Sequence, residues 1–240
     1  MFGDCATLAG FPIVVPVRVF GSEFTLTTVS ADAFAGQYTW YDDGWAGALT
    51  VSAHGDSALS GQYTSLRFGT THRVTATVGG ALPTGIALDI HDFNGLDAQR
   101  FTGCVGTGSR ALIAGVTQWR DERYGFYAVR DAPRPIAAFR VGEVEPGDFA
   151  GRYTLRGDAG PVRVELTHTG GRAVEGVVHR PGDGPLPLAG AVDPDDPLLV
   201  TLTAGDAVLS VRLFSRPKNV LAGWIDVPGA RIPCYLVRTA

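Results

Sequence analysis

The sequence predicts an all-β protein: two tandem antiparallel up-and-down β-barrels, produced by an internal duplication and preceded by a hairpin. Three observations predict it. The chain repeats itself once, its apolar residues fall in short runs punctuated by turn residues, and no segment carries a convincing helical period.

The repeat is the strongest of the three. Phe34–Ser65 (FAGQYTWYDDGWAGALTVSAHGDSALSGQYTS) returns as Phe149–Arg180 (FAGRYTLRGDAGPVRVELTHTGGRAVEGVVHR) at a constant offset of 115 residues. Phe34, Ala35, Gly36, Tyr38 and Thr39 recur as Phe149, Ala150, Gly151, Tyr153 and Thr154, and Gly55, Ala58 and Gly61 as Gly170, Ala173 and Gly176. A second echo closes each copy, Ile113–Arg130 against Leu221–Arg238, now at offset 108, so the later copy is seven residues shorter in its middle. A repeat of this length means two modules of one fold rather than a solenoid of short units. The 240 residues then divide into a hairpin extension (1–30), a first barrel (31–131), a linker (132–147) and a second barrel (148–240), each barrel large enough to bury its own core.

The elements follow in order. Ile13–Phe20 and Glu23–Val29 are β-branched runs around Gly21-Ser22, which suits a two-residue hairpin that covers a barrel mouth or pairs with an edge strand. Eight short strands are expected next: Gly36–Asp42, Ala48–Ala53, Ala58–Leu66, His72–Val78, Ile86–Asp92, Ala98–Val105, Ala111–Trp119 and Tyr124–Arg130. Turn chemistry separates them, as at Asp42-Asp43-Gly44, His54-Gly55-Asp56 and Asn94-Gly95. Pro133, Pro135 and Pro146 mark the linker. The second copy repeats the pattern over Phe149–Arg156, Val162–His168, Ala173–His179, Leu186–Ala191, Leu198–Thr203, Ala207–Phe214, Asn219–Val227 and Arg231–Val237. Eight strands enclose an interior just wide enough for side chains or one small ligand.

Composition narrows the function. A net charge of −4 and a pI near 5.7 leave no basic footprint, so neither nucleic acid nor an anionic membrane is an expected partner. Cys5, Cys104 and Cys234 are odd in number and lack C-x-x-C spacing, against a disulfide framework or a zinc site; Cys104 and Cys234 read as buried thiols in apolar strands. The start of the chain lacks a basic, signal-like segment, and the apolar run Phe11–Phe20 is short and interrupted by Pro12, Pro16 and Arg18, so a cytoplasmic protein is expected. The histidines lack metal-ligand spacing, no G-x-S-x-G elbow occurs, and Gly103, Gly106 and Gly108 do not open a helix, so no metal and no cofactor is expected. A homo-oligomer is compatible with the sequence.

Strand parity supplies the candidate site, because residues two apart share a face. Tyr38 and Trp40 point together, as do Leu49 with Val51, Tyr63 with Ser65, and Thr117 with Trp119. If these faces turn inward, the first barrel gathers Tyr38, Trp40, Tyr63, Phe101, Trp119 and Tyr127. That set lines a cavity for a small apolar molecule, or it simply fills the barrel. Asp89 and His91 alternate with Ile86, Leu88 and Ile90 and are expected to face solvent.

Gly36–Ser65 resembles the opening two hairpins of the avidin–streptavidin family, a calycin-like barrel, and FTGCVGTGSRALIAGVTQW resembles its later strands; the likeness spans roughly 36–131. The resemblance implies that Tyr63 and Ser65 hydrogen-bond a ligand, that Phe101 replaces one pocket tryptophan while Trp119 matches another, and that Asp131 falls near the aspartate after the last strand. The asparagine that contacts the ureido oxygen of biotin would stand at Trp40, which argues against biotin. Val178, Arg180 and Val227 occupy the matching positions of the second copy, so that barrel is expected to be a filled scaffold or an altered site.

Two functions suit these residues. One is a cofactor-free cyclase or isomerase that preorganises an apolar natural-product intermediate, with Tyr63, Tyr38 and Asp131 as catalytic groups and Trp40, Ser65, Phe101, Thr117, Trp119 and Tyr127 as ligand contacts. The other is a non-catalytic avidin- or lipocalin-like binder. A buried titratable group separates them, since proton transfer requires one. A protein–protein role for the second barrel is a third reading.

Overall fold

The computed structural model of the chain describes residues 15–20, 22–26, 29–80, 82–107, 111–130, 143–158, 160–180 and 184–239. Its strands are β1 (Val15–Val19), β2 (Ser22–Leu26), β3 (Gly36–Asp42), β4 (Trp45–His54), β5 (Ala58–Ser65), β6 (Thr71–Val78), β7 (Gly85–Phe93), β8 (Leu96–Val105), β9 (Leu112–Trp119) and β10 (Glu122–Val129). The second copy supplies β11 (Gly151–Gly157), β12 (Val162–Gly170), β13 (Ala173–His179), β14 (Leu186–Val192), β15 (Leu199–Ala204), β16 (Ala207–Leu213), β17 (Val220–Val227) and β18 (Ala230–Arg238). β3 to β10 close one antiparallel barrel and β11 to β18 a second, with neighbours in chain order throughout. Among the described residues no helix is long and apolar enough to cross a membrane. Asp131 lies outside the described residues, as do Cys5 and the prolines Pro133 and Pro135 of the linker.

β1 and β2 pair only with each other, in a register that sets Val19 opposite Ser22. The turn therefore falls one residue earlier than the glycine suggests, and Phe20 takes a left-handed φ of 47°. Val17, Val19, Phe20 and Leu26 bury themselves against the core of the second barrel.

The residues that recur most faithfully build one end of each barrel. A 3-10 turn precedes each first strand, Ala31–Phe34 and Pro146–Phe149; in the second copy it takes up Phe149, where the sequence suggests that the strand has begun. Tyr38 donates its hydroxyl to the Phe34 carbonyl at 3.0 Å, and Tyr153 does the same to Phe149 at 3.0 Å. An arginine from the last strand's end lies over each tyrosine ring: Arg130 at 5.0 Å and Arg238 at 5.3 Å. Arg130 donates to the carbonyls of Ala33 and Ala35, and Arg238 to that of Asp148. The part-buried carbonyls of the turn are thus satisfied by charged donors, which are stronger than neutral ones. The repeated glycine has a similar cause. A Cβ at Gly61 would collide with the Thr50 carbonyl, and one at Gly176 with that of Glu165, so the paired backbones approach too closely for any side chain.

The two interiors differ. Aromatic rings fill the first: Trp40 stacks on Phe126 with centroids 4.7 Å apart and meets Phe101 edge-on at 4.9 Å. Aliphatic side chains such as Leu155, Val164, Leu166, Val178, Leu202 and Leu209 fill the second. The barrels lie side by side over a third apolar cluster, where Tyr41, Leu112, Ala114, Tyr127 and Val129 meet Phe214, Val220, Ala222 and Tyr235. Two polar clasps flank it: Ser215 donates its backbone N–H and its hydroxyl (2.7 Å) to Asp43, and the Thr107 N–H donates to Asp158 at 2.8 Å.

Candidate functional site at the mouth of the first barrel

The end of the first barrel opposite the Tyr38–Arg130 cap opens into a pocket of about 160 Å³. Four hairpins and loops of the barrel form its rim, and the second barrel contributes Arg216.

Asp42 lies on its floor. Asp43 and Gly44 form the two-residue loop after β3, both with positive φ (39° and 88°), and Asp42 pairs with Trp45. This loop type continues the strand alternation to its end, so Asp42 shares the inward face of Tyr38 and Trp40. Its carboxyl is pushed up to about 7, chiefly by burial and next by the neighbouring Asp43 charge, with the Trp40 indole and then the Arg216 charge acting in the other direction. Oδ1 of Asp42 and Nε1 of Trp40 are both buried without a hydrogen-bond partner. Buried polar atoms are normally satisfied, so Oδ1 of Asp42 is open to a group that enters the pocket. Asp43 is also raised by burial, against which the Ser215 hydrogen bonds and Arg216 favour its charge.

Tyr63 forms the next part of the floor. Its ring covers Gly47 on β4, where a Cβ would run into the phenol, and it meets Phe93 edge-on at 5.2 Å. Burial, then the proximity of Asp42, raise its phenol well above the usual range, so it stays protonated at neutral pH and available as a donor. Ser65, two residues on, also lines the pocket.

The far wall is polar and prewired. Asn94 donates to Gln99 at 2.7 Å, Gln99 to Thr117 at 2.9 Å, and Thr117 to the Arg100 carbonyl at 2.8 Å. Gln99 is 2% exposed, and this chain fixes its orientation. Trp119 and Tyr124 extend the wall, with the Arg120 guanidinium 4.5 Å from the Trp119 ring. On the other side stand Trp45 and Phe68, which is 65% exposed.

The residues expected from the sequence thus separate into four places. Tyr63, Ser65, Thr117 and Trp119 line the pocket. Trp40 and Phe101 belong to the packed aromatic interior beneath it, so the rings do not enclose one large cavity. Tyr38 lies in the opposite cap, bonded to backbone and away from the pocket. Tyr127 is corrected from interior to exterior: Phe126 and Ala128 take the inward positions of β10, and Tyr127 faces the second barrel. Asp89 and His91 point outward as the alternation requires, Asp89 bound by Arg100 at 2.8 and 2.9 Å and His91 to Thr75 at 2.9 Å.

Sequence reasoning missed Asp42, Gln99 and Arg216. For Asp42 the signal was present, since the Tyr38–Trp40 parity continues to it, but Asp-Asp-Gly reads first as a turn. Gln99 shares a face with Phe101 in the same way. Arg216 carried no such signal, because a contact between the two copies has no sequence pattern. Among the described residues no group of three or more His, Cys, Asp or Glu side chains is placed to hold a metal. No protein-family model, curated protein or solved structure matches this chain.

Proposed function

We propose that the mouth of the first barrel binds the polar head of a small, mostly apolar organic molecule and that Asp42 transfers a proton on it, a cofactor-free isomerase or cyclase activity. The observation that carries this reading is the Asp42 carboxyl: buried, unpartnered at Oδ1, on a pocket floor, and poised near neutrality. A general acid or base works best with its pKa near the working pH. Tyr63, held protonated beside it, offers a donor to a carbonyl whose oxygen gains charge as the carbon-bound proton leaves. The pocket is smaller than the ~300 Å³ at which drug-sized sites begin, so it suits the reacting end of a ligand whose remainder extends over Phe68 and Trp45.

The test is deuterium uptake from D₂O into a panel of enolisable cyclic ketones, followed by proton NMR. Wild-type protein is expected to accelerate uptake on at least one member, and Asp42→Asn to slow it by about a hundredfold or more. Equal rates for the two proteins on every member would remove the catalytic role.

The non-catalytic, avidin-like alternative rests on Tyr63, Ser65 and Trp119, the positions that the resemblance assigns to ligand contact and that stand on the pocket wall. It accounts for the aromatic rim and the polar wall and gives the raised Asp42 no task. Ligand binding without proton exchange would favour it.

A further inference from the structure

Resting on the reading of this mouth as a small-molecule site, we propose that its ligand is an organic acid, an apolar ring or chain bearing a carboxylate that Arg216 of the second barrel recognises. Arg216 reaches the first barrel's pocket from the loop between β16 and β17, and the Ser215 clasp on Asp43 fixes that loop one residue away. Its guanidinium lies 4.4 Å from the centre of the Trp45 ring, which orients the group without using its N–H donors. The nearest carboxylate oxygen, Oδ2 of Asp43, is 3.7 Å from Nε, an ion pair without a hydrogen bond. Ser215 already occupies both oxygens of Asp43. Among the described residues the Arg216 side chain donates no hydrogen bond; it is 44% exposed and lines the pocket. A planar fork of free donors beside apolar walls is the arrangement that takes a carboxylate through two parallel bonds.

The other mouth sharpens the point. The repeat offsets match Asp42 with Gly157 and Arg216 with Gly108, and likewise Tyr63 with Val178, Thr117 with Ile225 and Trp119 with Val227. Asp42, Arg216 and the hydroxyls of Tyr63 and Thr117 thus have no like residue at their matching positions, although Asp43 and Ser65 match Asp158 and Arg180.

The experiment compares phenylacetate with phenylacetamide, probes of one shape that differ in charge, by NMR titration of the indole N–H signals. The four tryptophans give four reporters: Trp40, Trp45 and Trp119 at or beneath the pocket, and Trp224 on the second barrel as the control for fold. Phenylacetate is expected to move Trp45 and Trp119 and leave Trp224 in place, and phenylacetamide to bind about tenfold more weakly, as the loss of a charged bidentate contact implies. Arg216→Gln is expected to reduce phenylacetate to the affinity of the amide and to leave the amide unchanged. Equal binding of acid and amide by the wild type, or unchanged phenylacetate binding by Arg216→Gln, would overturn the organic-acid assignment while the pocket stands. If neither probe moves Trp45 or Trp119 at concentrations up to about 10 mM, a range that covers millimolar fragment affinities, the pocket reading falls with it.

Discussion

Tyr127 stacks on Tyr235, its own counterpart in the repeat, with ring centroids 4.3 Å apart and planes 6° from parallel. The rest of the shared surface has the same character. Ala114 and Ala222, and Leu112 and Val220, are further pairs at the 108-residue offset within one cluster. The two clasps also correspond: Thr107 matches Ser215 and Asp158 matches Asp43. A surface that meets its own copy is the isologous interface of a two-fold dimer.

The stacked pair should therefore hold the barrels together. Tyr127→Ala and Tyr235→Ala are each expected to lower the unfolding free energy by about 3 kcal/mol, the cost of truncating a buried aromatic residue. The double variant should lose about 1 kcal/mol less than the sum, the usual worth of a stacked pair beyond its burial. Urea denaturation of the four proteins measures this; strict additivity would show that the rings do not interact.

Asp42 gives the protein a pH dependence of definite sign. Its folded pKa of about 7 stands above the ordinary carboxyl value of 3.8, so the fold binds this proton more tightly than the unfolded chain does. The carboxyl's contribution to stability is full below that unfolded value and declines as pH rises to and through the folded one. Asp42→Asn lacks this titration, and its advantage over wild type should grow between pH 4 and pH 8 by up to about 4 kcal/mol. Denaturation curves at several pH values test it; parallel pH profiles for the two proteins would place the carboxyl in water.

Tyr38 and Tyr63 should behave oppositely. Tyr38→Phe removes the bond to the Phe34 carbonyl and is expected to cost about 1 kcal/mol of stability with ligand binding unchanged. Tyr63→Phe removes a pocket hydroxyl and should weaken binding of carbonyl-containing ligands by about tenfold, the worth of one such bond. Thermal unfolding and ligand titration of both variants separate the roles, and an affinity loss in Tyr38→Phe would contradict the placement of that residue in the cap.

Biotin should give no heat on calorimetric titration. Trp40, which the avidin-like resemblance would set at the ureido-binding asparagine, packs fully buried between Phe101 and Phe126, leaving no room for a bicyclic head within the barrel. A saturable heat would require that cluster to open.

The barrels themselves were legible because the alternation of strands and the repeat leave traces in order of residues. Gly36–Asp42 and Ala173–His179 are expected and observed with the same bounds. β4 runs longer than its apolar core, Trp45–His54, because pairing carries it to the edges of two tight turns. The 3-10 turns were not legible as such: Phe34 and Phe149 are set by the carbonyl bonds of Tyr38 and Tyr153, which are tertiary contacts. Tyr127 misled for a related reason. An aromatic residue on a barrel strand reads as interior until a second barrel is known to cover the outer face. The same ignorance concealed Arg216, whose neighbours Asp43 and Trp45 lie in the other copy.

In an assembly of two identical chains, whatever stands at one end of the symmetry axis must stand at the other, and a mutation that improves one opening alters both. Joining the copies in one polypeptide lifts that constraint. On the proposed reading, Gly157 and Gly108, at the matching positions of Asp42 and Arg216, register a division of labour in which one half lends the other a single guanidinium.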